Sequence, residues 1–247
     1  MTIIFPMAGL SSRFTKAGYT KPKYMLSINQ KSVFYHAVNS FKNYISKAEF
    51  IFIYRDILNT KEFILNECKK LGIKKFKLIK LENETEGQAH TVYLGLEKAK
   101  IADDENILIF NIDTFRPNFL LPKELDFNHI DGYLEVFEAE GDHWSFVLAE
   151  EGTNKAIKTA EKERISSLCS SGLYYFKQAL DFKRIFLKKF NINDRVKNEF
   201  YIAPMYNDLV QEGKDIRFSK ITLDEIIFCG TPDEYLKLLK NKSLLLL

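Results

Sequence analysis

The strongest indication of the fold is the segment Thr2-Ile-Ile-Phe-Pro-Met-Ala-Gly-Leu-Ser-Ser-Arg-Phe14, which is followed by Lys21-Pro-Lys23. It opens with a short apolar run, typical of a buried strand, that ends in a glycine and two serines. Such a turn leaves several backbone N–H groups free to face an anion. Arg13 follows the turn directly, and Lys23 comes soon after it beside a proline. We expect the turn and its two cations to hold a triphosphate, because Arg grips phosphate oxygens in pairs and Lys supplies a compact charge.

Two common nucleotide motifs are absent from this turn. It contains neither the GxGxxG of dinucleotide-binding folds nor the GxxxxGK[ST] of P-loops. A polar loop whose Arg13 and Lys23 are only solvated is the plain alternative, and the local pattern alone leaves it open.

The composition is that of an ordinary globular protein. Of 247 residues, 46% are hydrophobic and 28% are charged, and the net charge of +3 comes with no long basic run. We therefore expect no nucleic-acid partner. No apolar run reaches the roughly 18 residues that a membrane span needs, so we expect no membrane partner and a cytoplasmic location. The apolar residues 244–247 are expected to be the docked end of a helix or a contact in a homo-oligomer, an assembly that the sequence leaves open.

Strand-like and helix-like patterns alternate along the chain. The predicted strands are 2–5, 49–54, 76–81, 107–111, 132–138, 145–149, 173–176, 216–221 and 225–228. The predicted helices are 33–44, 61–71, 90–100, 179–189, 201–212 and 232–240. Because this alternation is typical of parallel sheets and no Pro/Gly/Ser linker divides the chain, we expect a single α/β domain. Its sheet would be Rossmann-like, mixed but mostly parallel, and flanked by helices.

A second polar segment, Glu82-Asn-Glu-Thr-Glu-Gly-Gln-Ala-His-Thr91, follows a predicted strand and opens a predicted helix. A glycine at a helix start allows backbone N–H groups to contact a base edge or a phosphate. The plain alternative is an ordinary helix start with Thr85 as its cap.

A carboxylate follows the buried strand Ile107-Leu-Ile-Phe-Asn111, at Asp113. Ligands of open α/β sheets gather at the carboxyl ends of the strands, and hard cations prefer oxygen ligands. Asp113 is therefore the predicted ligand of Mg²⁺, the expected cofactor. A DxDxT phosphatase is excluded because position 111 is Asn where an aspartate nucleophile is needed. An aspartate that only caps the next turn is the alternative.

The first turn resembles the signature of the nucleotidyltransferases that make nucleoside-diphosphate sugars and CDP-choline-like compounds, which runs roughly as AGxGxRFxP…PK. The matching residues are Ala8, Gly9, Ser12, Arg13, Phe14, Pro22 and Lys23, while Ser11 stands where that family commonly has a glycine. The resemblance implies a glycosyltransferase-A-like fold and an NTP substrate. It also implies that Arg13 and Lys23 are catalytic, holding the triphosphate and stabilising charge at the α-phosphate. The implied nucleotide-binding residues of the turn are Met7, Ala8, Gly9 and Ser12.

The resemblance continues at Gly87-Gln-Ala-His-Thr91, which looks like the family's base-binding element and implies that Gly87 and Gln88 contact the nucleotide. The family commonly places an acceptor or amide residue shortly before it, where this chain has Glu82. A carboxylate only accepts hydrogen bonds, and cytosine presents an N4 amino donor where uracil and thymine present a carbonyl. Glu82 therefore favours CTP as the donor.

The metal site of the family is only partly matched. Gly230-Thr-Pro-Asp-Glu-Tyr235 matches a GTPxDY-like element, but Phe228 stands where the family often has a second metal-binding aspartate. The second ligand of the metal ion would then be Glu225 or Asp224, or waters and phosphates would fill the coordination shell.

Three further segments resemble the family's acceptor-binding elements. The implied acceptor-binding residues are Glu161, Lys162, Gly172, Tyr174, Glu199 and Tyr201, and Ser170 replaces a usual asparagine. Lys162 is the expected partner of a phosphate on the acceptor, whose oxygen would attack the NTP. Such chemistry needs positioning and charge neutralisation rather than a covalent enzyme nucleophile. Trp144 is left as a pocket wall or a core residue.

The sequence therefore predicts a nucleotidyltransferase that moves CMP from CTP to a phosphorylated small-molecule acceptor and releases pyrophosphate. Residues 1 to about 115 would bind the nucleotide and residues from about 116 to 247 the acceptor. The segments around Trp144, Glu161 and Asn198 look most like a branch found with bacterial capsule biosynthesis, which implies L-glutamine phosphate as the acceptor. Three alternatives stay open: a sugar-1-phosphate nucleotidyltransferase that uses UTP, dTTP or GTP, a metal-dependent glycosyltransferase of the same fold, and a non-catalytic NTP-binding regulator.

Overall fold

The computed structural model describes residues 1–241 and is built around a mixed central sheet. The strands are β1 (Thr2–Met7), β2 (Ser27–Ile28), β3 (Lys31–Ser32), β4 (Glu49–Tyr54), β5 (Phe76–Lys80), β6 (Ile107–Phe110), β7 (Thr114–Phe115), β8 (Gly132–Glu138), β9 (Ser145–Ala149), β10 (Ala156–Glu161), β11 (Leu168–Phe176), β12 (Ile216–Lys220) and β13 (Ile227–Phe228). The helices are α1 (Ser12–Lys16), α2 (Val33–Asn39), α3 (Thr60–Leu71), α4 (Gln88–Ala99), α5 (Ala179–Asn191), α6 (Tyr206–Gln211) and α7 (Pro232–Lys240). The role expected for residues 244–247 falls outside the described residues.

The order of the strands explains where a site is able to form. Strand β1 lies between β4 and β6, β5 follows β4, and all three pairings are parallel. On the other side of β6, β11 runs antiparallel and is followed by β8 and the parallel strand β12. The predicted fold class is confirmed: a single α/β domain with a mixed, mostly parallel sheet flanked by helices.

Alternating side chains along the strands build an apolar layer on each face of the sheet. In β1, Ile3 and Phe5 enter the layer that packs against α2, α3 and α7, and Ile4 enters the layer that packs against α4, α5 and α6. Phe5 stacks on its pairing partner Phe52 with 5.6 Å between the ring centroids. Burying each ring contributes about 2–3 kcal/mol. The two layers hold the parallel strands in a rigid base for the loops at their carboxyl ends.

Most predicted elements coincide with observed ones, and β4, β8 and β9 have the predicted bounds. The predicted helix 201–212 is wrong in its first turns, because residues 203–205 form a 3₁₀ turn and α6 begins only at Tyr206. Pro204 explains the late start, since proline lacks an N–H donor and disfavours helix in the residue before it. Strand β10 was not predicted, and its side chains do not alternate cleanly between buried and exposed.

His36 makes the stability of the fold depend on pH. Its Nε2 lies 3.0 Å from the carbonyl oxygen of Ile28, and burial lowers the pKa of the imidazole below its usual 6.5. The unfolded chain therefore binds a proton more readily, and stability is lost as the pH falls below about 6.5.

The H36Q variant keeps an N–H donor but does not titrate. Between about pH 7.5 and pH 5.5, the free energy of unfolding should fall more in the wild type than in H36Q, as measured by urea titration. Parallel pH profiles would contradict this assignment.

Candidate active site

The loops at the carboxyl edge of the parallel strands enclose a cavity of about 410 Å³. The loop after β1, the segment before α4 and the residues after β6 form its walls, because neighbouring parallel strands end at one edge of the sheet. The predicted site residues that line it are Met7, Ala8, Gly9, Ser12, Lys23, Gly87, Gln88, Asp113 and Glu199.

The loop after β1 turns at Ser11, whose φ of 53° lies in the left-handed region. A side chain in this conformation costs about 1 kcal/mol relative to ordinary helical backbone. The Ser11 carbonyl accepts the Phe14 N–H at 2.9 Å and so starts α1. Arg13 of α1 lines a second cavity of about 190 Å³, which shares Ser11 and Lys23 with the first.

Lys23 and Asp113 form the charged centre of the site. Lys23 begins the 3₁₀ turn Lys23–Met25, and its Nζ lies 2.5 Å from Oδ2 of Asp113, which follows β6. The backbone N–H of Cys229 donates to the Asp113 carbonyl at 2.8 Å. A Cβ on Gly230 would lie 3.0 Å from Asp113 Oδ2, so a larger residue there would require the Asp113 carboxylate to move by a few tenths of an ångström. A lysine and a carboxylate from segments 90 residues apart thus meet between the two cavities.

The thiol nearest to this centre is not a nucleophile. Burial raises the pKa of Cys229 to about 12, and the charges of Asp113 and Glu234 add to the effect. The thiol is therefore protonated at neutral pH.

On the opposite wall, Gly87 and Gln88 begin α4. Gly87 has a φ of 118°, and a Cβ there would lie 2.6 Å from the backbone N and O atoms of Phe200. The side-chain amide of Gln88 donates to Oδ1 of Asn111, which lies between Gln88 and Gly172. Gly172 also has a left-handed φ of 87°, and a Cβ on it would collide with the Asn111 amide. These contacts join the start of α4, the end of β6 and β11.

Glu82, predicted to read the base, does not line the cavity. Its side chain is 67% exposed, and its carboxylate lies 3.3 Å from the ammonium group of Lys80. Strand β5 ends at Lys80, and the chain then turns so that Glu84 and Thr85 line the cavity instead. The carboxylates that do line the cavity are those of Glu84, Asp113 and Glu199. The Glu84 side chain is itself 63% exposed, and its carboxylate lies 3.4 Å from the Arg55 guanidinium group.

The predicted acceptor residues form a separate polar cluster next to the cavity. The Lys162 ammonium contacts the Tyr201 hydroxyl and lies 4.3 Å from the centre of its ring. The Ser145 hydroxyl donates to Glu161 and accepts from the Tyr174 hydroxyl at 3.4 Å. Within the described part of the chain, Glu199 is the one predicted acceptor residue that lines the cavity, and it connects the cluster to it.

Burial controls protonation in this cluster. It raises the pKa of the Glu161 carboxyl above its usual range, although the hydrogen bond from Ser145 opposes the shift. It also raises the pKa of Tyr174 to about 12. The pKa of Tyr201 is raised first by burial and then by Glu199, while the charge of Arg13 lowers it. Both phenols are therefore neutral hydrogen-bonding groups, and Arg13 lies near enough to Tyr201 to affect it.

The segment that carries Glu199 is anchored on the start of α4. The Phe200 N–H donates to the Glu86 carbonyl at 2.7 Å, and the Ala89 N–H donates to the Phe200 carbonyl at 2.9 Å. The side chains of Arg195 and Glu86 form an ion pair beside them. One wall of the cavity is therefore shared by the segment before α4 and the segment before α6.

No family model matches the chain, and no curated protein matches it. Among solved structures, a nucleoside-diphosphate-sugar pyrophosphorylase from Vibrio cholerae RC9 is 46% identical, with a TM-score of 0.91, and the match covers 97% of this chain and 100% of that one. The chain belongs to the nucleoside-diphosphate-sugar pyrophosphorylase family. This family consists of nucleotidyltransferases, so the predicted enzyme class is confirmed at that level.

Two more distant structures share the fold alone. A putative glucose-1-phosphate thymidylyltransferase from Bacillus anthracis is 17% identical with a TM-score of 0.78, and the match covers 97% of this chain and 93% of that one. The inositol-1-phosphate CTP transferase from T. maritima is 13% identical with a TM-score of 0.70, with 97% and 94% covered. Within residues 1–241, no helix is long and apolar enough to cross a bilayer.

The residues present fit a magnesium ion of the kind that nucleotidyltransferases of this type generally use. The described part of the chain contains no group of three or more His, Cys, Asp or Glu residues arranged for a metal. Glu225, considered as a second ligand, instead pairs with Arg116 and caps a turn at Thr222. Asp113 alone suits Mg²⁺, which keeps several waters and is commonly held by one carboxylate plus substrate phosphates. This carboxylate lines both cavities, where substrate phosphates would complete the coordination shell.

Phe228, which stands in place of a second aspartate, belongs to a small apolar cluster. Its ring lies 5.1 Å from that of Trp144 and 5.3 Å from that of Phe137. Trp144 is therefore a partly buried residue that packs against this cluster. A carboxylate at position 228 would lose these contacts.

Residues that were not predicted also line the cavity, namely Pro6, Leu10, Ser11, Tyr24, Glu84, Thr85, Thr91, Asn111 and Ile112. Asn111 had a detectable signal, because it follows the same apolar strand as Asp113. Glu84 and Thr85 lie in a turn, where no periodic pattern tells which side chains face inward.

The contact between Gly87 and Phe200 predicts a selective effect of substitution. In G87A, both the positive φ and the approach of the Phe200 backbone oppose the new methyl group, so the shared wall should shift. We expect NTP affinity, measured by calorimetry, to fall about tenfold or more. G152A is the matched control, because Gly152 has a φ of 71° but nothing within 4 Å of a Cβ. Equal effects of both variants on NTP affinity would contradict a role for the Phe200 contact.

Proposed function

We propose that this protein transfers a nucleoside monophosphate from an NTP to a phosphorylated small molecule and releases pyrophosphate. The observation that carries the proposal is the Lys23–Asp113 pair at the carboxyl edge of the sheet, beside the Gly/Ser loop and between two cavities. Residues 1 to about 115 would supply most of the donor site, and Glu199 would bring in the acceptor side.

In the proposed reaction, a phosphate oxygen of the acceptor forms a bond to the α-phosphorus of the NTP. The bond from the α-phosphorus to the bridging oxygen breaks, and pyrophosphate leaves with that electron pair. Lys23 and Arg13 would bind the triphosphate and stabilise the negative charge that grows on the leaving group. The loop residues Gly9 and Ser12 would hold the phosphates in line for attack. Mg²⁺, held by Asp113 together with waters and phosphates, would neutralise further phosphate charge.

For the acceptor, we propose that Lys162 and Tyr201 hold the attacking phosphate. The ammonium and the neutral phenol are both donors, and they already contact each other. Glu161 and Glu199 would accept hydrogen bonds from polar groups on the rest of the acceptor. Gly172, packed against Asn111, would keep the two binding regions in register.

We further propose CTP as the donor and L-glutamine phosphate as the acceptor, in bacterial capsule biosynthesis. Support for CTP comes from a carboxylate at the cavity, because it accepts from the cytosine N4 amino group and repels the carbonyl of uracil or thymine. We assign this role to Glu84, which lines the cavity and whose carboxylate is oriented by an ion pair with Arg55 at 3.4 Å. Support for the acceptor and the pathway is the resemblance of the segments around Trp144, Glu161 and Asn198 to a capsule branch.

A second candidate is a sugar 1-phosphate acceptor with UTP, dTTP or GTP as the donor. The name of the Vibrio cholerae relative, a nucleoside-diphosphate-sugar pyrophosphorylase, favours it. The chemistry at the α-phosphate and the roles of Lys23 and Arg13 would be the same.

Removal of either charge in the central pair should abolish most activity. We expect K23A and D113A each to lower the rate of Mg²⁺-dependent pyrophosphate release by about 10²-fold or more, because each removes a group that binds the reacting phosphates. K21A and D104N are matched controls, since both residues are exposed and lie outside the cavities. Circular dichroism would verify folding. Near-normal pyrophosphate release by either K23A or D113A would contradict the assignment of these residues to the active site.

The donor preference has its own test. Replacing Glu84 by Gln adds a donor where the proposal needs an acceptor, so E84Q should weaken CTP binding about tenfold and narrow its preference over UTP. E82Q is the matched control, because Glu82 is exposed to a similar degree in the same segment but does not line the cavity. Calorimetric titration of both variants with CTP and with UTP measures these affinities. A loss of CTP affinity in E82Q but not in E84Q would reverse the assignment.

A further inference from the structure

Ser11 combines two features that a glycine at the same position would not. Its backbone is left-handed, with φ 53° and ψ 31°, a conformation that glycine adopts without a steric penalty. Its hydroxyl oxygen accepts the backbone N–H of Lys23 at 3.2 Å. The chain therefore keeps a side chain in an unfavourable conformation and uses that side chain for one specific hydrogen bond.

The donor of this bond, the Lys23 backbone N–H, belongs to the residue whose side chain reaches Asp113. Lys23 is the first residue of a 3₁₀ turn, so its N–H is one of the amides that the turn itself leaves unpaired. Pro22 before it has no N–H to offer, so the Lys23 amide is the first donor of the turn. The Ser11 hydroxyl thus ties the backbone of Lys23 to the loop after β1, while the Lys23 side chain reaches Asp113.

We infer that Ser11 is a positioning residue for Lys23, and this inference rests on the proposed function only for its catalytic consequence. The hydroxyl fixes the base of a long flexible side chain whose other end must meet a phosphate. Ser11 lines both cavities, together with Lys23, so the bond lies at the junction where the triphosphate would pass. Without it, the lysine is still present but its ammonium group samples more positions.

Two substitutions separate the hydroxyl from the backbone strain. S11A and S11G both remove the hydroxyl, but only S11G also relieves the left-handed strain. If the hydroxyl holds Lys23 in place, both variants should loosen Lys23 to the same extent. If the backbone strain is what matters, S11G and S11A should have opposite effects on Lys23. K100G is the matched control, because Lys100 is exposed, has a φ of 52° and lies at the end of α4.

Hydrogen exchange of the Lys23 amide, followed by NMR, tests the bond without any substrate. We expect exchange about tenfold faster in S11A and S11G and unchanged in K100G. S11G should unfold at a higher temperature than S11A, because it alone loses the strain. Unchanged Lys23 exchange in both serine variants would overturn the inference.

Steady-state kinetics tests the catalytic consequence. With the NTP and acceptor that support pyrophosphate release, kcat should fall about tenfold in both serine variants, while the KM for the NTP changes about twofold or less. A loss in S11A that S11G restores would overturn the inference, because strain and not the hydroxyl would then matter. If the wild type releases no pyrophosphate with any substrate, the proposed function fails, and the exchange data still decide the bond between Ser11 and Lys23.

Discussion

The parallel alignment of β1 with β6 is the constraint on which the site depends. Thr2 pairs with Ile107 and Ile4 with Ile109, so the two strands end side by side at one edge of the sheet. That edge receives the loop carrying Lys23 from one strand and Asp113 from the other, and their charged groups come within 2.5 Å. Because both apolar layers bury these strands, the position of the pair is determined by the core and does not rely on the loops alone.

A second constraint links the proposed nucleotide region to the proposed acceptor region. The backbone of Phe200 bonds on both sides to the start of α4, and Gly87 leaves room for it. A shift of the acceptor segment therefore has to move the wall of the cavity where the nucleotide base would lie. In a bimolecular transfer, such a shared wall fixes the distance between the two substrates, which is the main contribution that a protein makes when the reacting groups are both phosphates.

The features of the fold and of the candidate site that leave a local pattern in the sequence could be predicted from it. Features that depend on turn geometry or on contacts between distant segments could not. The continuous apolar runs of β1 and β4 and the charged residues next to strand ends are visible in the sequence. The parallel half of the sheet and the positions of Lys23 and Asp113 near strand ends could therefore be predicted. The choice between Glu82 and Glu84 could not, because a turn has no repeating geometry that tells which carboxylate faces inward. The packing of Phe200 on Gly87 could not either, since it joins distant segments through backbone atoms and leaves no side-chain pattern.

The most direct test of nucleotidyl transfer is Mg²⁺-dependent pyrophosphate release, measured with each NTP against phosphoglutamine, phosphocholine and several sugar 1-phosphates. If Lys23 and Asp113 act in nucleotidyl transfer, pyrophosphate release should require both an NTP and one phosphorylated acceptor, and CTP should be the preferred NTP. Release with another NTP and a sugar 1-phosphate would keep the reaction and contradict the cytidylyl preference. Tight NTP binding without release from any pair would contradict the transferase itself and favour a non-catalytic NTP-binding protein.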